Sequence, residues 1–559
     1  MALAPNSAIL ACMNGPAGMP RLKLPDGRIV DRPHPEWLMH QLRWRWLLDS
    51  WEGGEAYRMA VYGFDPQGMP IRNLIRHKRE YPSSFEAAAP QAGRPPGTDQ
   101  AAQATDDDYE LRRARTPVPT FVAEAAEAHL ARIYGREVHR EGPERLVAWW
   151  RNVDGRGGTI DDWMAGTIAP LLLVLGQLDI IVDHPAVPDG EEVRSRADEV
   201  RLGLDSCVAS YILPENLVWW SLDRLGGYAE CLVREVADGG EVRWRFWDAR
   251  SWAIYGESGE LVRGPTPHPY GRVPIIRVFD RRRPRSRNIG LPRYESIAEI
   301  QREFYNRDSE LILSDTTQAH PLLQGPEDYV QADGTVPIGP NWLLPKKKNT
   351  GGSGATYEGF DVVPFPKEGA ESIRLNKADL RDAADRAALL MKPAGGAGTS
   401  GSTVGQSGIS KRLDQAAGND LLGKIASMLG RAERQVAELA LLVLDDGRPR
   451  GDAAAVRVNY PTQFDLFTAE ELARAIAQFQ GIVADAGNAP ATESELLRKL
   501  VRLMLPGLED ADYAGFDAEI AAYLEARASD GPAEEAADGA NPGPAPSRPR
   551  VGAGPRREA

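Results

Sequence analysis

The strongest constraint on the fold is a long run of apolar residues at helical spacing in the last third of the chain. Between residues 409 and 444 these residues recur every three or four positions, which is the pattern of one helix face. At 1.5 Å per residue, one helix over this range is roughly 50 Å long. That length indicates a rod in a bundle or an assembly. The stripe consists of Ile409, Leu413, Ala417, Leu421, Ile425, Met428, Ala432, Val436, Leu439 and Val443.

A glycine- and serine-rich stretch, PAGGAGTSGSTVGQSG at 393–408, lies directly before this helix. Gly396 and Gly401 have the spacing of a Walker A loop, which requires a lysine next and a strand before it. Ser402 occupies the lysine position, Lys411 is too far along, and a helical pattern precedes the stretch. Nucleotide binding is therefore disfavoured. A passive linker and a functional mobile loop are equally supported by the local sequence.

Two shorter helical patterns precede this stretch, at about 292–315 and 370–392, with apolar residues on one face of each. The residues between them lose helical period, and proline and glycine separate short strand-like pieces there. Earlier still, about 211–280 is rich in β-branched and aromatic residues with glycine turns, which predicts an antiparallel β-region. The apolar run at 168–182 predicts a buried helix, a turn at Gly176 and a buried strand.

Further elements are predicted at both ends of the chain. Aromatic helical segments extend from 35 to about 75. After the long helix, AVRVNYPTQFD predicts a strand, and helical patterns follow at about 468–486, 492–504 and 514–527.

Composition narrows the class of protein. The 559 residues are 42% hydrophobic and 26% charged, as in a soluble globular protein, and the formal net charge is −14. An acidic chain is a poor candidate for tight sequence-specific DNA binding, although DNA can still pass along such a surface. No apolar run is long enough to span a bilayer, and the N-terminus lacks the basic region of a signal peptide.

Motifs of catalysis and metal binding are not found in the sequence. The three cysteines have no metal-type spacing, the histidines form no zinc motif, and no nucleophile elbow appears. A calcium-like stretch begins at Asn152, but Arg156 and Trp163 occupy ligand positions, so we interpret it as a polar turn. Three basic clusters, at 76–78, 281–287 and 346–348, are interpreted either as solvated or inter-subunit faces or as contacts with phosphate or an acidic partner.

In the order of its elements the chain resembles the portal proteins of tailed bacteriophages, over about residues 35–525. The segment NVDGRGGTIDDWMAGTIAPLLLVLGQLDIIVDHP is similar to a recurrent portal segment in which a buried helix leads to a short strand. YGRVPIIRVF is similar to the strand that precedes the portal stem. A helix, an insertion, a second helix, a glycine-rich loop and a long helix follow, and then VRVNYPTQFD and a helical C-terminal part.

The resemblance implies an α+β fold, mainly α, with portal-like wing, stem helices, clip, tunnel loop and helical crown. The insertion at 86–108 departs from the compact family pattern. The implied divisions are a flexible N-terminus (1–30), a helical wing region (31–205), an antiparallel β wing region (206–290), stem helices (291–315 and 370–392), a clip (316–369), a tunnel loop (393–408), a long wing helix (409–447), a crown (448–527) and a disordered tail (528–559).

The function implied by the resemblance is mechanical. Family members form a ring, usually of twelve subunits, at one capsid vertex, and double-stranded DNA enters and leaves through its channel. The implied partners are further copies of the chain, double-stranded DNA that passes without sequence specificity, the terminase large subunit, a head-to-tail adaptor, and major capsid and scaffolding proteins, with no membrane. The implied location is the capsid portal vertex of the virion, with host cytoplasm during assembly.

The same resemblance supplies the candidate site residues and implies no enzymatic activity, no catalytic residue, no metal and no cofactor. The candidate channel-loop residues are Lys392, Gly395, Gly396, Ser400, Thr403, Gln406 and Lys411. The candidate clip residues for partner docking are Trp342, Lys346, Lys347 and Lys348. Two alternatives stay open: a nucleotide-binding enzyme that uses the glycine-rich loop, and another capsid-associated structural or adaptor protein.

Overall fold

The protein is a mixture of helices and antiparallel sheets. The computed structural model describes residues 19–66, 68–75, 109–185, 194–204, 206–237, 239–319, 322–326, 343–346, 361–363, 368–389, 408–448, 450–461, 464, 494, 498 and 510–529. The chain divides into two compact units, Met1–Asp465 and Leu466–Ala559. In the second unit, the structure describes one long helix, of 20 residues.

The helices that the structure describes vary from one turn to about ten turns. They are α1 (Pro35–Glu52), α2 (Gly54–Met59), α3 (Phe121–Tyr134), α4 (Glu144–Trp150), α5 (Ile160–Trp163), α6 (Ala169–Leu175), α7 (Arg196–Arg201), α8 (Glu295–Ala319), α9 (Glu368–Ala387), α10 (Gly408–Leu444) and, in the second unit, α11 (Asp510–Ser529). Residues 109–115 are also helical.

The strands are short and belong to small sheets. They are β1 (Leu22–Lys23), β2 (Ile29–Val30), β3 (Val61–Phe64), β4 (Pro70–Arg72), β5 (His139–Glu141), β6 (Gln177–Asp183), β7 (Val208–Ile212), β8 (Leu217–Leu222), β9 (Tyr228–Val236), β10 (Val242–Asp248), β11 (Ser251–Tyr255), β12 (Leu261–Pro267), β13 (Ile275–Phe279), β14 (Arg282–Arg283), β15 (Ser286–Gly290), β16 (Leu322–Pro326), β17 (Leu343–Lys346), β18 (Asp361–Val363) and β19 (Arg457–Asn459).

The predicted β-region forms an antiparallel five-stranded meander in the order β12-β11-β10-β9-β8. Successive side chains along each strand point to opposite faces of the sheet, and both faces carry apolar residues. In β10, Trp244 and Phe246 face a small core that is completed by the β1–β2 hairpin. Trp247 belongs instead to the main core, which also contains much of α6 and α10. The central strands of the sheet are thus buried on both faces, which explains their tryptophan-rich sequence, whereas the edge strand β12 is largely exposed.

The prediction for 168–182 is confirmed. All seven residues of α6 are buried, Gly176 ends the helix with a left-handed φ of 77°, and β6 follows as the central strand between β13 and β7. A Cβ on Gly176 would meet the Pro292 backbone nitrogen at 2.5 Å. Glycine is therefore required by both the backbone conformation and the close approach of the segment that begins α8.

The three predicted helices around the glycine-rich stretch are also present, with shifted ends. α10 begins one residue before the predicted 409 and ends at the predicted 444. α8 extends to Ala319, into the range assigned to the clip. The Asp and Thr residues at 315–317 have low helix propensity and would suggest an earlier end, yet they continue the helix. α9 ends at Ala387 rather than 392, and Leu389 has a φ of 51°.

Other expectations meet mixed outcomes. Residues 61–72 form the β3–β4 hairpin, although the sequence predicted helical segments from 35 to about 75. The predicted strand in AVRVNYPTQFD is β19, which pairs with β5. The helix predicted at about 514–527 corresponds to α11. The helices predicted at 468–486 and 492–504 lie almost entirely outside the described residues.

Candidate functional site at the base of a helix pair

The site is built around α8 and α9, the two helices that flank the insertion at 320–367. They run antiparallel, since their side-chain pairs advance along α8 while receding along α9. Lys377 pairs with Asp308, and its ammonium group lies 4.8 Å from the centre of the Phe304 ring. Further from the base, Arg374 lies 3.1 Å from the Asp315 carboxylate. The outer pair is about half exposed on both sides, whereas the inner pair is largely covered.

Gln301 of α8 is the most informative side chain at the base of the pair. It is fully buried, and its amide bonds to the ends of two other helices. Its Oε1 accepts the Val122 N–H of α3 at 3.0 Å, and its Nε2 donates to the Ser50 carbonyl of α1 at 3.0 Å. Because helix ends leave unpaired N–H and carbonyl groups, one glutamine satisfies a donor and an acceptor there. α8 is thereby fixed against α1 and α3.

Asn306, about one and a half turns further along α8, has a similar role. Its Oδ1 accepts the Ile75 N–H at 2.8 Å, and its Nδ2 donates to the Asn73 carbonyl at 2.9 Å. The Asn73 side chain accepts from Trp46 Nε1 and donates to the Tyr57 carbonyl. This chain of amides joins α8 to the β3–β4 hairpin and to α1 without a charged group.

His129 of α3 joins the two ends of the helix pair. Its Nδ1 lies 2.8 Å from the hydroxyl of Tyr294, immediately before α8, and its Nε2 lies 2.8 Å from the carbonyl of Ala388, just after α9. A neutral imidazole fits this arrangement, with one nitrogen donating to the carbonyl and the other accepting from the hydroxyl. Burial lowers the pKa of His129 to about 4, so the neutral form predominates at physiological pH.

A second contact holds α9 against α3 on its outer side. The Arg381 guanidinium lies 2.7 Å from Glu124 and 4.7 Å from the centre of the Phe121 ring. Since Glu124 and Phe121 are in the first turn of α3, the same helix end receives Gln301 from α8 and Arg381 from α9. The start of α3 therefore organises the base of both helices.

The long helix α10 is attached to the body by a buried ion pair. Glu433 is fully buried, and both carboxylate oxygens bond to Arg140 of β5. Tyr460, one residue beyond β19, donates its hydroxyl proton to the same carboxylate at 2.7 Å. Burial raises the pKa of Glu433 despite the hydrogen bonds from Arg140 and Tyr460. The β5–β19 ribbon thus holds α10 about two-thirds of the way along its length.

Most of the residues predicted as functional lie outside the described part of the chain. This applies to Lys392, Gly395, Gly396, Ser400, Thr403 and Gln406 of the channel-loop candidates and to Trp342, Lys347 and Lys348 of the clip candidates. Lys411 lies in the first turn of α10, and Lys346 is the last residue of β17. Strand β17 runs parallel to β16, which pairs antiparallel with β18.

The basic cluster at 281–287 contributes internal contacts at the start of α8. Arg281 donates to the Pro292 carbonyl at 3.0 Å, Arg283 donates to the Gly290 carbonyl at 3.2 Å, and Arg282 lies over Phe279. These arginines stabilise the β14–β15 turn and the approach to Glu295. A run of arginines in the sequence looks the same whether its side chains bind carbonyl groups of the same chain or a phosphate. The sequence therefore could not separate the two interpretations.

The structural functions of Gln301, Asn306 and His129 were not identified from the sequence. Each is a single polar residue within a helical pattern, which is ordinary for a solvated face. The one signal is position: Gln301 and Asn306 lie near the apolar stripe of α8, between Ile297 and Leu311.

The described residues contain neither a metal site nor a membrane-spanning helix. No group of three or more His, Cys, Asp or Glu side chains there is placed to hold a metal ion. None of the helices in the described ranges has both the length and the apolar character needed to cross a membrane. The calcium-like stretch is a tight turn, in which Asp154 accepts the N–H groups of Arg156 and Gly158 at 2.8 and 2.9 Å.

Comparisons with known proteins identify no family. No family model matches the chain, and no curated protein matches it. Three solved structures of gene transfer agent particles are among its structural neighbours. A chain of the native virion is 15% identical, with 72% of this chain and 94% of that chain covered and a TM-score of 0.34. A chain from the neck of the empty particle, computed with C6 symmetry, is 16% identical, with coverages of 72% and 94% and a TM-score of 0.32, and one from the neck of the native particle, computed with C12 symmetry, is 17% identical, with coverages of 76% and 98% and a TM-score of 0.31. At these TM-scores the likeness carries no functional argument.

Proposed function

We propose that the protein is a portal-type head-to-tail connector. In this function, copies of the chain form a ring at one capsid vertex, and double-stranded DNA passes through the central channel. The observation that carries the proposal is the order of elements: a β-rich region, a pair of antiparallel helices around an insertion, a glycine-rich stretch and then one long helix. The proposed location is the virion, with assembly in host cytoplasm.

The attachment of the helix pair supports a mechanical function. α8 and α9 are held at their base by the buried Gln301, Asn306 and His129, whose polar atoms bond to the backbone of neighbouring elements. Uncharged buried hydrogen bonds are insensitive to salt and break only at a high desolvation cost. Such an attachment suits a component that bears force during DNA movement, and it needs no catalytic group or cofactor.

We assign the remaining parts from the sequence resemblance. Residues 393–408, with Lys392 and Lys411 at the two ends, are the proposed channel loop. Residues 316–369, with Trp342 and Lys346 to Lys348, are the proposed docking region for the terminase large subunit and for a head-to-tail adaptor. The major capsid and scaffolding proteins are the proposed partners around the ring.

Purified full-length protein tests the ring directly. Mass photometry across a concentration series, followed by negative-stain imaging, should show closed rings of about twelve protomers, since head-to-tail interfaces that close generate rings. A stable monomer at every concentration would contradict the proposal. It would favour the alternative of another capsid-associated structural or adaptor protein.

Removing residues 395–406 tests the channel loop. Rings of the deletion variant should assemble with unchanged mass, while particles that contain it should package or retain less DNA than wild type, as measured by nuclease-protected DNA per particle. Assembly failure would instead assign the segment a structural function. A variant with the same number of residues replaced by Gly/Ser repeats controls for loop length.

A further inference from the structure

The chain leaves α9 through a backbone conformation that leucine rarely adopts. Leu389, two residues after the last residue of the helix, has a left-handed φ of 51°. Helices often end with a left-handed residue, but it is usually glycine or asparagine, because a Cβ clashes with the backbone there. The other non-glycine residue with a positive φ in the described ranges is Asp446, and aspartate tolerates this conformation better than leucine does. Leu389 is therefore a strained helix end.

The sequence after α9 favours a longer helix than the one observed. Residues 388–392 are Ala, Leu, Leu, Met and Lys, which are all strong helix formers, and Pro393 is the first residue that would stop the helix. Residues 390–392 lie outside the described part of the chain. Local propensity and the observed end at Ala387 therefore differ by more than one helical turn.

Contacts from two other helices hold this short end in place. The Ala388 carbonyl lies 2.8 Å from Nε2 of His129 in α3, whereas a continued helix would supply the N–H of residue 392 to it. The Leu389 carbonyl is packed against α10, since a Cβ on the buried Gly418 would lie 3.6 Å from it. Tertiary contacts thus oppose the local preference for a longer helix.

Tyr294 orients the imidazole that makes the first of these contacts. Its hydroxyl lies 2.8 Å from Nδ1 of His129, and both side chains are buried. When this hydroxyl donates to Nδ1, the imidazole proton is on Nε2, which donates to the Ala388 carbonyl. Because Tyr294 lies immediately before α8, the end of α9 is linked to the start of α8 as well as to α3.

We propose that the end of α9 is a two-position switch that sets the length of the proposed channel loop. In the short position, which is the one observed, Leu389 is left-handed and His129 holds the Ala388 carbonyl. In the long position the helix continues through Lys392, the strain at Leu389 is released, and the segment between the helices shrinks from 388–407 to 393–407. Each residue that joins the helix advances about 1.5 Å instead of up to about 3.6 Å, so the loop reaches less far.

The two positions are balanced by opposing terms. Backbone strain and helix propensity favour the long position, whereas the His129 hydrogen bond and the packing on Gly418 favour the short one. A change that biases either set of contacts shifts the populations. The inference rests on the proposed function, because the length of the loop matters only if copies of the chain surround a channel. There, the longer loop of the short position reaches further towards DNA and retains it better.

Amide hydrogen exchange in full-length protein measures the switch, since the N–H groups of 391 and 392 bond to the carbonyls of 387 and 388 only in the long position. His129→Phe removes the donor to Ala388, so protection at 391 and 392 should rise about threefold or more. Tyr294→Phe should act in the same direction more weakly, because it releases the imidazole without touching α9. Leu389→Gly removes both the strain and the helix propensity of leucine, so exchange there should approach the rate of unprotected amides.

Asp446→Gly is the matched control, because it relieves a left-handed residue just after α10 and should leave exchange at 391 and 392 within about twofold. Circular dichroism shows which variants fold. If His129→Phe does not fold, Tyr294→Phe and Leu389→Gly decide the matter, since their effects on exchange should be opposite. Exchange that is the same in wild type and in every folded variant would overturn the switch and leave a static strained helix end.

DNA retention tests the consequence for the loop. Particles with Leu389→Gly should hold at least as much nuclease-protected DNA as wild type, and particles with His129→Phe about half or less. A change in the same direction for both variants would overturn the link to loop length. Rings whose exchange does not respond to the substitutions overturn the switch and leave the ring function standing. An exchange response in protein that never forms rings overturns the ring function and leaves the switch standing.

Discussion

The inner and outer parts of the α8–α9 pair are held together by different chemistry. At the base, Gln301 and His129 are buried and bond to backbone groups of α1, α3 and α9. Further out, Arg374 and Asp315 form an ion pair whose two side chains are 60% and 48% exposed. Buried neutral hydrogen bonds are costly to break, whereas exposed ion pairs are weak and screened by salt. The base therefore fixes the pair, and the outer contacts adjust its packing.

The largest expected effect is at Gln301. Gln301→Leu retains the volume of the side chain but leaves the Val122 N–H and the Ser50 carbonyl buried without partners. The free energy of unfolding should fall by about 2–4 kcal/mol, since each buried unsatisfied group costs about 1–3 kcal/mol. Urea denaturation followed by tryptophan fluorescence measures it.

An exposed glutamine supplies the control for this substitution. Gln435→Leu, on the solvent face of α10, should change stability by no more than about 0.5 kcal/mol. Equal losses from the two substitutions would show that helix composition, rather than the bonds of Gln301, determines the result.

The next effect concerns pH. The pKa of His129 is about 4 in the folded protein against 6.5 for the free side chain, so the unfolded chain binds the extra proton first as pH falls. The stability gained from neutral His129 is complete above pH 6.5 and is lost progressively as pH falls towards 4. Between pH 7.5 and 5 the loss is about 2 kcal/mol at 1.36 kcal/mol per pKa unit.

Denaturation of wild type and His129→Gln at several pH values isolates this effect. His34 and His40 also have lowered pKa values through burial, so both proteins retain a background pH dependence. The wild-type curve should be steeper than that of the variant between pH 7.5 and 5. Parallel curves would contradict the assigned bonds of His129, and His139→Gln, at an exposed site, serves as the control.

The smallest effect is at the outer ion pair. Arg374→Ala should lower the free energy of unfolding by about 0.2–1 kcal/mol at low salt, and the difference from wild type should shrink in 0.5 M NaCl because exposed pairs are screened. A loss as large as that of Gln301→Leu would remove the distinction between the base and the outer part of the pair.

Particular elements show what was predictable. The period of α10 and the helix–Gly176–strand unit were readable because the apolar side chains of α10 from 421 onward and those of α6 and β6 pack in or against the same core, so the local pattern agrees with the tertiary structure. The β3–β4 hairpin was missed because its residues follow an aromatic helix and its strands are too short to show alternation. The end of α8 was placed too early, since Asp315 and the two threonines after it have low helix propensity but are helical in the structure.

The amino-acid sequence by itself determined the order of helices and strands, the acidic charge and the resemblance on which the proposed function rests. It did so because periodicity and turn residues act over a few positions along the chain. Only the tertiary structure decided that Gln301, Asn306 and His129 hold the helix pair. These properties depend on burial and on partners more than a hundred residues away, which no local pattern records.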